Sequence, residues 1–129
     1  MEDRYLFKAK RVDDGDWIVG GLVRYGFTGK EKYYIVPDYA SDLYAIEIDP
    51  NTICRCTSSI DKNSRLIWEN DIVNTQCRKA IVVWDKAEWR IKWIKDTMWR
   101  RDLYFWVNER QCEVIGNIFD NPELLESEE

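Results

Sequence analysis

The sequence contains no histidine, and this absence removes the commonest sources of catalysis at neutral pH. Without histidine there is no Ser-His-Asp or Cys-His nucleophile, no imidazole metal ligand and no side chain that ordinarily titrates near pH 7. The sequence also lacks the G-x-x-x-x-G-K-[ST] and G-x-G-x-x-G motifs of phosphate-binding loops. We therefore expect a protein that is not an enzyme and that needs no cofactor.

Cysteine is scarce, and its four positions are irregularly spaced: Cys54, Cys56, Cys77 and Cys112. So few cysteines do not make a secreted disulfide scaffold, and reduced thiols are expected. A zinc site made of all four thiolates is arithmetically available, but the paired C-x-x-C spacing of zinc sites is missing. The sequence therefore favours buried or incidental thiols over a metal site.

Long hydrophobic runs are also missing. No stretch approaches the ~18 apolar residues of a membrane-spanning helix, and no basic, then apolar leader opens the chain. We expect a cytoplasmic protein without membrane association.

Two groups of carboxylates invite a catalytic or metal-binding interpretation. Glu69 and Asp71 resemble an acid–base pair, and the stretch "DDGD" at residues 13–16 crowds three aspartates together. Acid–base work needs one carboxyl with a raised pKa beside an ionised one, and calcium binding needs a longer series of ligands. Turn formation explains both groups better, so an enzyme using Glu69 and Asp71 with a divalent metal is the weakest hypothesis.

The remaining composition is that of a folded domain. The chain has 129 residues, of which 45% are hydrophobic and 14% aromatic, with seven Trp and seven Tyr. A chain of this length and apolar content is expected to form one domain, or a compact domain with a substantial annex, around a single core. The net charge of −5 arises from the end of the chain, since residues 111–129 contain no Lys or Arg.

Segments rich in β-branched and aromatic residues recur along the chain and predict a mainly β protein. "RYLFKAKRV" and "WIVGGLVRYGF" read as a hairpin closed by "DDGD", and Gly20 and Gly21 inside the second strand indicate a bulge or a close backbone approach. Further strands are predicted from "KYYIVP", the alternation of Tyr44, Ile46 and Ile48, "AIVVWD", "EWRIKWIK", "LYFWVN" and "CEVIGNIF".

Two segments of the sequence show weak features of a helix. One covers residues 36–44, and the other is the acidic tail "NPELLESEE". In the tail, Asn121 is a candidate N-cap, Pro122 suits the first helical position, and Glu123 suits the positive end of the helix dipole. The tail is equally compatible with a frayed end.

Residues 78–106 are the most suggestive stretch for function, because five tryptophans alternate there with eight basic and four acidic residues. Single-stranded nucleic acid is bound by such a mixture, since bases stack on rings while cations contact phosphates. The candidate binding residues are Arg78, Arg90, Lys92, Lys95, Arg100 and Arg101, with Trp89, Trp93 and Trp99.

The alternative is that these tryptophans form the core of a small sheet. In "EWRIKWIK", Trp89, Ile91 and Trp93 face one side of a strand, while Arg90 and Lys92 face the other. This pattern separates the rings from the cations, and it favours the core interpretation over the binding surface.

Three segments resemble the YopX family of phage and prophage proteins in the order that the family has them. They are "YLFKAKRVDDGDWIVGGLV" (residues 5–23), "IDPNTICRCTSSIDKNSRLIWENDIV" (48–73) and "EVIGNIFDNPELL" (113–125). The chain departs from the family where a Tyr-Thr-Gly-Leu becomes residues 56–60 and where Ser64 and Asn70 replace turn glycines. Asn tolerates a positive φ better than Ser does.

The resemblance implies a mainly β fold with branched antiparallel sheets and barrel-like parts, and an origin in a phage or prophage. It implies no activity and no catalytic residue. Combining it with the strand pattern, we expect a single domain with an antiparallel part (residues 1–56), a small barrel-like part (57–119) and an acidic tail (120–129).

Three functional hypotheses remain open. In the first, the protein is a binding or assembly module for a host or phage macromolecule, with a second copy of the chain among the candidate partners. In the second, it binds single-stranded nucleic acid through residues 78–106. The third is the metal-dependent enzyme named above. The first is the function that the sequence favours.

Overall fold

The structure is a computed structural model that describes residues 5–37, 45–76, 78–95 and 97–126. The chain divides into two compact units, residues 1–56 and residues 57–129. Each has its own cluster of buried apolar side chains.

The first unit is an antiparallel sheet. Its strands are β1 (Phe7–Lys10), β2 (Trp17–Tyr25), β3 (Lys32–Pro37), β4 (Ile46–Ile48) and the start of β5 (Cys54–Ile60). They are ordered β4-β3-β2-β1-β5, and a short 3-10 helix (Pro50–Thr52) precedes β5. The buried core of this unit consists of Ala9, Ile18, Ile35 and Ile48.

The predicted hairpin of the first unit is confirmed. Strands β1 and β2 pair antiparallel, with Phe7 opposite Gly20 and Lys10 opposite Trp17. The aspartates of the turn interact with residues close to them in the sequence. Arg11 contacts the Asp13 carboxylate at 3.3 Å, and the Asp14 carboxylate accepts from the backbone N–H of Asp16. Turn formation therefore accounts for these carboxylates.

Gly20 shows the close approach that its position in a strand predicted. A Cβ atom built at Gly20 would lie 2.1 Å from the carbonyl oxygen of Val36 and 2.9 Å from the Cα of Pro37. Both atoms belong to the backbone of β3. The pairing of β2 with β3 thus requires glycine at this position.

The second unit contains the rest of β5 together with β6 (Leu66–Trp68), β7 (Asp71–Asn74), β8 (Lys79–Asp85), β9 (Glu88–Trp93), helix α1 (Leu103–Asn108) and β10 (Glu113–Asn117). Four strands form an antiparallel sheet in the order β10-β7-β8-β9. Its buried core is formed by Ile67, Val73, Ala80, Val82, Ile91, Trp93, Leu103, Trp106, Cys112 and Val114.

The prediction of a mainly β, antiparallel protein is confirmed, but the described residues form open sheets and no closed barrel. Closure would require another strand along the free edge of β9. Irregular backbone lies there instead: Arg90 forms an isolated bridge with Asp102, and the backbone N–H of Ile91 donates to the Arg101 carbonyl at 2.7 Å.

The strand predicted from "LYFWVN" is wrong, because this segment is helix α1 (Leu103–Asn108). The Asp102 carboxylate caps the helix by accepting from the backbone N–H of Phe105. Leu103 and Trp106, three residues apart, are the buried positions of the helix. The spacing of two core contacts and an N-cap outweighed the strand preference of aromatic residues.

The other predicted elements have mixed outcomes. Residues 38–44 of the first predicted helix, and Tyr44 of the predicted alternation, lie outside the described residues, while Val36 and Pro37 belong to β3. The tail contains a short 3-10 helix, Pro122–Leu125, but the Asn121 side chain does not cap it and accepts from the backbone N–H of Asn117 instead. Across the described ranges, no helix is long and apolar enough to cross a membrane.

The positions that departed from the family's glycines adopt left-handed backbone. Ser64 has φ = 64° and Asn70 has φ = 73°, and Ser58 in the third such place has φ = 66°. A side chain crowds the backbone at positive φ, and serine tolerates this conformation less well than asparagine does. Serine at position 64 is therefore strained relative to glycine.

Replacing Ser64 with glycine should relieve this strain. We expect Ser64→Gly to stabilise the second unit by about 0.5–1 kcal/mol, since the gain exceeds the added entropy of the unfolded chain. Urea unfolding measures it. Ser64→Ala is the matched control and should give no gain; an equal gain from alanine, or a loss from glycine, would contradict this interpretation.

Candidate functional site

Strands β8 and β9 divide the predicted binding residues between two faces. Trp93 lies opposite Ala80 and Ile91 opposite Val82, whereas Lys92 lies opposite Ile81 and Arg90 opposite Val83. Residues directly opposite in an antiparallel pair share a face. Ile91 and Trp93 are buried and Lys92 is exposed, so the predicted alternation is confirmed.

Trp93 lies in the core of the second unit. Its side chain is 5% exposed, and it meets the rings of Trp99 and Trp106 edge-on at centroid distances of 5.6 and 5.2 Å. The indole Nε1 of Trp93 is buried without a hydrogen-bond partner among the described residues. Trp93 therefore supports the surface ring of Trp99 and does not itself present a face to a ligand.

The other two predicted rings differ in exposure. Trp89 is half-buried and packs edge-on against Trp84 at 5.1 Å, while Trp84 is 44% exposed. Trp99 is also 44% exposed, and the guanidinium of Arg78 lies 5.6 Å from the centre of its ring. Trp84 and Trp99 are thus the rings of residues 78–106 with the larger exposed surface.

A first concavity, the basic concavity, lies where the β8–β9 hairpin meets Arg101. Its volume is about 430 Å³. Four cations and one acid take part in its lining of Val83, Trp84, Asp85, Lys86, Arg90, Ile91, Lys92 and Arg101. Three of the six predicted cations, Arg90, Lys92 and Arg101, therefore come together here.

The cations of the basic concavity are held by different means. The Arg90 guanidinium donates to the Glu88 carboxylate at 2.7 Å, and Arg101 donates to the carbonyl of Thr97 at 3.2 Å. Lys86 and Ala87 both have positive φ, 52° and 62°, as the two central residues of a tight type I′ hairpin turn require. The turn fixes the backbone from which the Lys86 side chain leaves.

A second concavity, the aromatic concavity, lies between helix α1 and the segment that precedes it. Its volume is about 420 Å³. It is lined by Met98, Trp99, Arg100, Phe105, Trp106 and Arg110. Met98 is fully exposed at its rim. Apolar and aromatic surface framed by two arginines is characteristic of a binding site.

Hydrogen bonds and ion pairs fix the walls of the aromatic concavity. The Trp106 indole donates to the Arg100 carbonyl at 2.8 Å, and the Arg100 guanidinium forms two bonds with the Asp102 carboxylate at 3.0 and 2.9 Å. Arg100 also lies 4.3 Å from the centre of the Phe105 ring. These contacts leave little freedom for the rim to rearrange.

The electrostatics around Asp102 keep its carboxylate ionised. Burial is the largest single influence and raises the pKa of Asp102, but the Arg100 side chain and backbone N–H groups, including that of Phe105, together lower the pKa below its usual value. Asp102 therefore serves two structural purposes, as the cap of α1 and as the partner of Arg100.

The structure brings together some of the predicted residues and adds others. Arg100 and Arg101 are successive residues, yet Arg100 lines the aromatic concavity and Arg101 the basic one. Lys95 is exposed and lines neither of these two concavities. The residues that line these concavities without having been predicted as binding residues are Trp84, Lys86, Met98, Phe105 and Arg110. Recognising the N-cap at Asp102 would have indicated that a helix carries Phe105 and Trp106.

Asp71, which was considered for catalysis together with Glu69, has a structural partner, and so has a second buried carboxylate, that of Asp61. Asp71 is 3% exposed and accepts from the backbone N–H of Trp68 at 2.8 Å. Asp61 is 5% exposed and accepts from the backbone N–H groups of Asn63, Arg65 and Val114, each at 2.9 Å. Within the described ranges, no three His, Cys, Asp or Glu side chains lie close enough to hold a metal ion.

The cysteines are buried where the structure describes them. Cys54 and Cys56 lie on β5, and Cys112 precedes β10, while Cys77 lies outside the described residues. Burial, assisted by the nearby Asp61 carboxylate, raises the pKa of the Cys112 thiol to about 11. A thiol that resists ionisation in this way is not a nucleophile at neutral pH.

Comparison with known proteins gives a family and a fold. No curated protein is similar enough to count as a match. The crystal structure of protein EF1440 from Enterococcus faecalis is similar in fold, with a TM-score of 0.59 at 20% sequence identity, over 93% of this chain and 96% of that one. A family model, described as YopX protein, matches residues 7–126. Because that match covers nearly the whole chain, the protein belongs to the YopX family.

Proposed function

We propose that the protein is a non-enzymatic binding module that captures a segment of another protein in the aromatic concavity. The family resemblance supports an origin in a phage or prophage, and the bacterial cytoplasm as the place where the module acts. The observation that carries the proposal is the apolar surface formed between two arginines by the exposed Met98 and Trp99 and the half-buried Phe105.

The residue types of the aromatic concavity are those that dominate protein interfaces. Trp, Phe, Met and Arg are enriched at the centres of interfaces, and Trp and Arg are over-represented among the residues whose truncation weakens binding most. Here a half-exposed Trp99 is backed by the buried Trp93, and a fully exposed Met98 stands beside it. Burying Met98 and the open part of Trp99 under a partner removes apolar surface from water.

The site is rigid enough for binding to be favourable. Trp99 is fixed by its edge-on contact with Trp93, and the position of Arg100 is fixed by Asp102 and by the Trp106 indole. Side chains ordered before binding lose little further entropy when a partner docks. The flexible Met98 can then adapt to the shape of the partner's side chain.

The charge of the rim indicates which partner segment fits. Arg100 lies 4.3 Å and Arg110 5.9 Å from the centre of the Phe105 ring, so both guanidinium groups border the apolar floor. Arg100 already has Asp102 as a partner, and in the described part of the chain Arg110 forms no salt bridge. We infer a partner segment that inserts an apolar side chain and carries a carboxylate beside it.

Two observations support a role without catalysis. The sequence has no histidine, and the buried carboxylates Asp61 and Asp71 accept hydrogen bonds from backbone N–H groups. An enzyme would need one such group to be poised for proton transfer or nucleophilic attack in a cleft.

The proposal is tested by selecting displayed peptides on the wild-type protein and measuring their affinity for Met98→Asp. We expect enriched peptides that combine an apolar residue with Asp or Glu. Met98→Asp places a carboxylate where the peptide's own carboxylate and apolar side chain dock, so affinity should fall at least tenfold, about 1.4 kcal/mol. Isothermal titration calorimetry gives the two affinities.

Phe27→Asp is the matched control, because Phe27 is 84% exposed and lies in the first unit, in the turn between β2 and β3. It adds the same charge and removes similar apolar surface, and binding should be unchanged. The proposal fails if no peptide family is enriched, or if Phe27→Asp weakens binding as much as Met98→Asp does.

A further inference from the structure

We propose that the occupant of the aromatic concavity is the acidic tail of a second copy of this chain, so that the protein associates with itself. The acidic tail is residues 120–129, "DNPELLESEE". This inference rests on the protein-binding role proposed above and names the partner. It fails alone if the concavity binds acidic, apolar peptides but not this tail.

The acidic tail has the chemistry that the aromatic concavity selects. A fitting partner inserts an apolar side chain and carries a carboxylate beside it, and in the tail Leu124 and Leu125 lie between Glu123 and Glu126. Both leucines are half-buried, whereas the two glutamates are exposed. A docking leucine therefore brings a carboxylate towards the guanidinium groups that border the concavity.

The charge of the second unit is divided in a way that favours contact between two copies. Residues 61–110, which include the concavity, hold 11 Lys or Arg against 8 Asp or Glu, whereas residues 111–129 hold none against 6. The regional net charges are +3 and −6. Attraction between these regions favours encounters that bring the tail of one copy to the concavity of another, and repulsion disfavours contact between two tails.

The described part of the tail, residues 120–126, does not line the concavity of its own copy. Its start is fixed beside β10, because the backbone N–H of Asn121 donates to the Asn117 carbonyl at 2.9 Å and the Asn121 side chain accepts from the Asn117 N–H at 3.2 Å. The short 3-10 helix Pro122–Leu125 follows directly. The space of about 420 Å³ is therefore open to the tail of a second copy.

A contact of tail with concavity joins two different surfaces. Such a heterologous contact repeats head to tail from copy to copy unless the assembly closes into a ring. The concavity, at about 420 Å³, lies near the lower end of the roughly 300–1,000 Å³ that binding pockets span. Because each contact buries only a short segment, we expect dissociation constants between about 1 μM and 1 mM.

The inference is tested by sedimentation velocity of the full chain at concentrations from about 10 μM to 1 mM. We expect the average mass to rise with concentration, and to rise less at high salt because salt screens the attraction. Met98→Asp in the concavity and Leu125→Asp in the tail should each lower the association constant about tenfold or more. Glu126→Lys, at an exposed position, is a second tail variant with the same expected direction.

Mixing the two aspartate variants identifies the surfaces that meet. Met98→Asp keeps an intact tail and Leu125→Asp keeps an intact concavity, so an equimolar mixture should form a dimer with one copy of each, although each variant alone stays monomeric. Phe27→Asp is the matched control, because it adds the same charge at an exposed position of the first unit and should associate like wild type. Circular dichroism checks that each variant is folded.

Three results would overturn the inference. They are a wild-type chain that stays monomeric up to about 1 mM, self-association that Met98→Asp and both tail variants leave unchanged, and a mixture of the aspartate variants that stays monomeric. If selected peptides nevertheless bind wild type and lose affinity for Met98→Asp, only the identity of the partner is wrong. If no peptide family is enriched, the proposed function itself fails.

Discussion

Asp61→Ala should destabilise the second unit by about 3–5 kcal/mol, because one buried carboxylate satisfies three backbone N–H groups. Two of them, on Asn63 and Arg65, close the turn after β5, and the third, on Val114, belongs to β10 far along the chain. Removing the carboxylate leaves the buried N–H of Val114 without its acceptor. Urea unfolding monitored by fluorescence measures the loss.

The contribution of Asp61 also depends on pH. Burial is the largest influence on this group and raises its pKa, but the N–H groups of Val114, Arg65 and Asn63 and the charge of Arg65 together lower the pKa below its usual value. The folded protein therefore binds the proton less readily than the unfolded chain does. The stabilisation is complete well above the unfolded pKa of about 3.9 and is lost as the pH falls through the lower folded pKa.

Asp61→Asn separates the charge from the shape of the side chain. The amide keeps one accepting oxygen and loses the other, so we expect a smaller loss of about 1–3 kcal/mol at pH 7. The difference between wild type and Asp61→Asn should shrink as the pH falls below about 4. A difference that stays constant from pH 7 to pH 3, or an alanine variant as stable as wild type, would refute this role.

Gly20→Ala should be the most damaging single-methyl change in the first unit, with an expected loss of about 3–5 kcal/mol. The new Cβ would lie 2.1 Å from the Val36 carbonyl oxygen, a distance that only movement of the β3 backbone relieves. Because Gly20 also pairs with Phe7 on β1, the shift disturbs two strand pairings at once. Thermal unfolding followed by far-UV circular dichroism measures the effect.

Val23→Ala on the same strand is the comparison variant, because Val23 is 43% exposed and lies opposite Tyr34. It removes surface apolar area and should cost less than about 1 kcal/mol. If Gly20→Ala unfolds at the same temperature as wild type, the close packing of β2 on β3 described above is wrong.

Local patterns in the sequence were sufficient to predict most strands. Alternation identified β9 and the opposite orientations of Trp93 and Lys92, because the side-chain period of a strand is fixed by covalent geometry. The glycine in β2 indicated a close approach for the same kind of reason, since no other residue fits there. Departures from the family's glycines likewise pointed to positive φ at Ser64 and Asn70.

Elements fixed by tertiary contacts escaped prediction. The aromatic segment of α1 prefers strands intrinsically, yet burial of Leu103 and Trp106 and the cap from Asp102 make it helical. The barrel expected for the second part depended on which backbone pairs with the free edge of β9. The backbone N–H of Ile91 donates there to the carbonyl of Arg101, which does not belong to a strand. Neither helix α1 nor the backbone beside β9 has a local sequence signal as strong as the alternation that identified the strand β9.

The sequence indicated which kinds of residue form the candidate sites, but not where in the fold these residues come together. The mixture of basic and aromatic residues in residues 78–106 was evident from composition. Its division into two concavities, with the successive residues Arg100 and Arg101 in different ones, depends on how the segment before α1 passes β9. For the same reason, no local pattern in the sequence indicated Met98 as a site residue, and only its full exposure in the fold does so.

The most direct test of the proposed protein-binding role is a titration of ¹⁵N-labelled protein with a selected acidic, apolar peptide, following the seven indole N–H signals by NMR. We expect the signals of Trp99 and Trp106 to shift, because Trp99 lines the aromatic concavity and the Trp106 indole bonds to its rim. Trp17 in the first unit and the buried Trp68 should not move. Saturation by peptide with Trp99 and Trp106 unshifted would contradict the account.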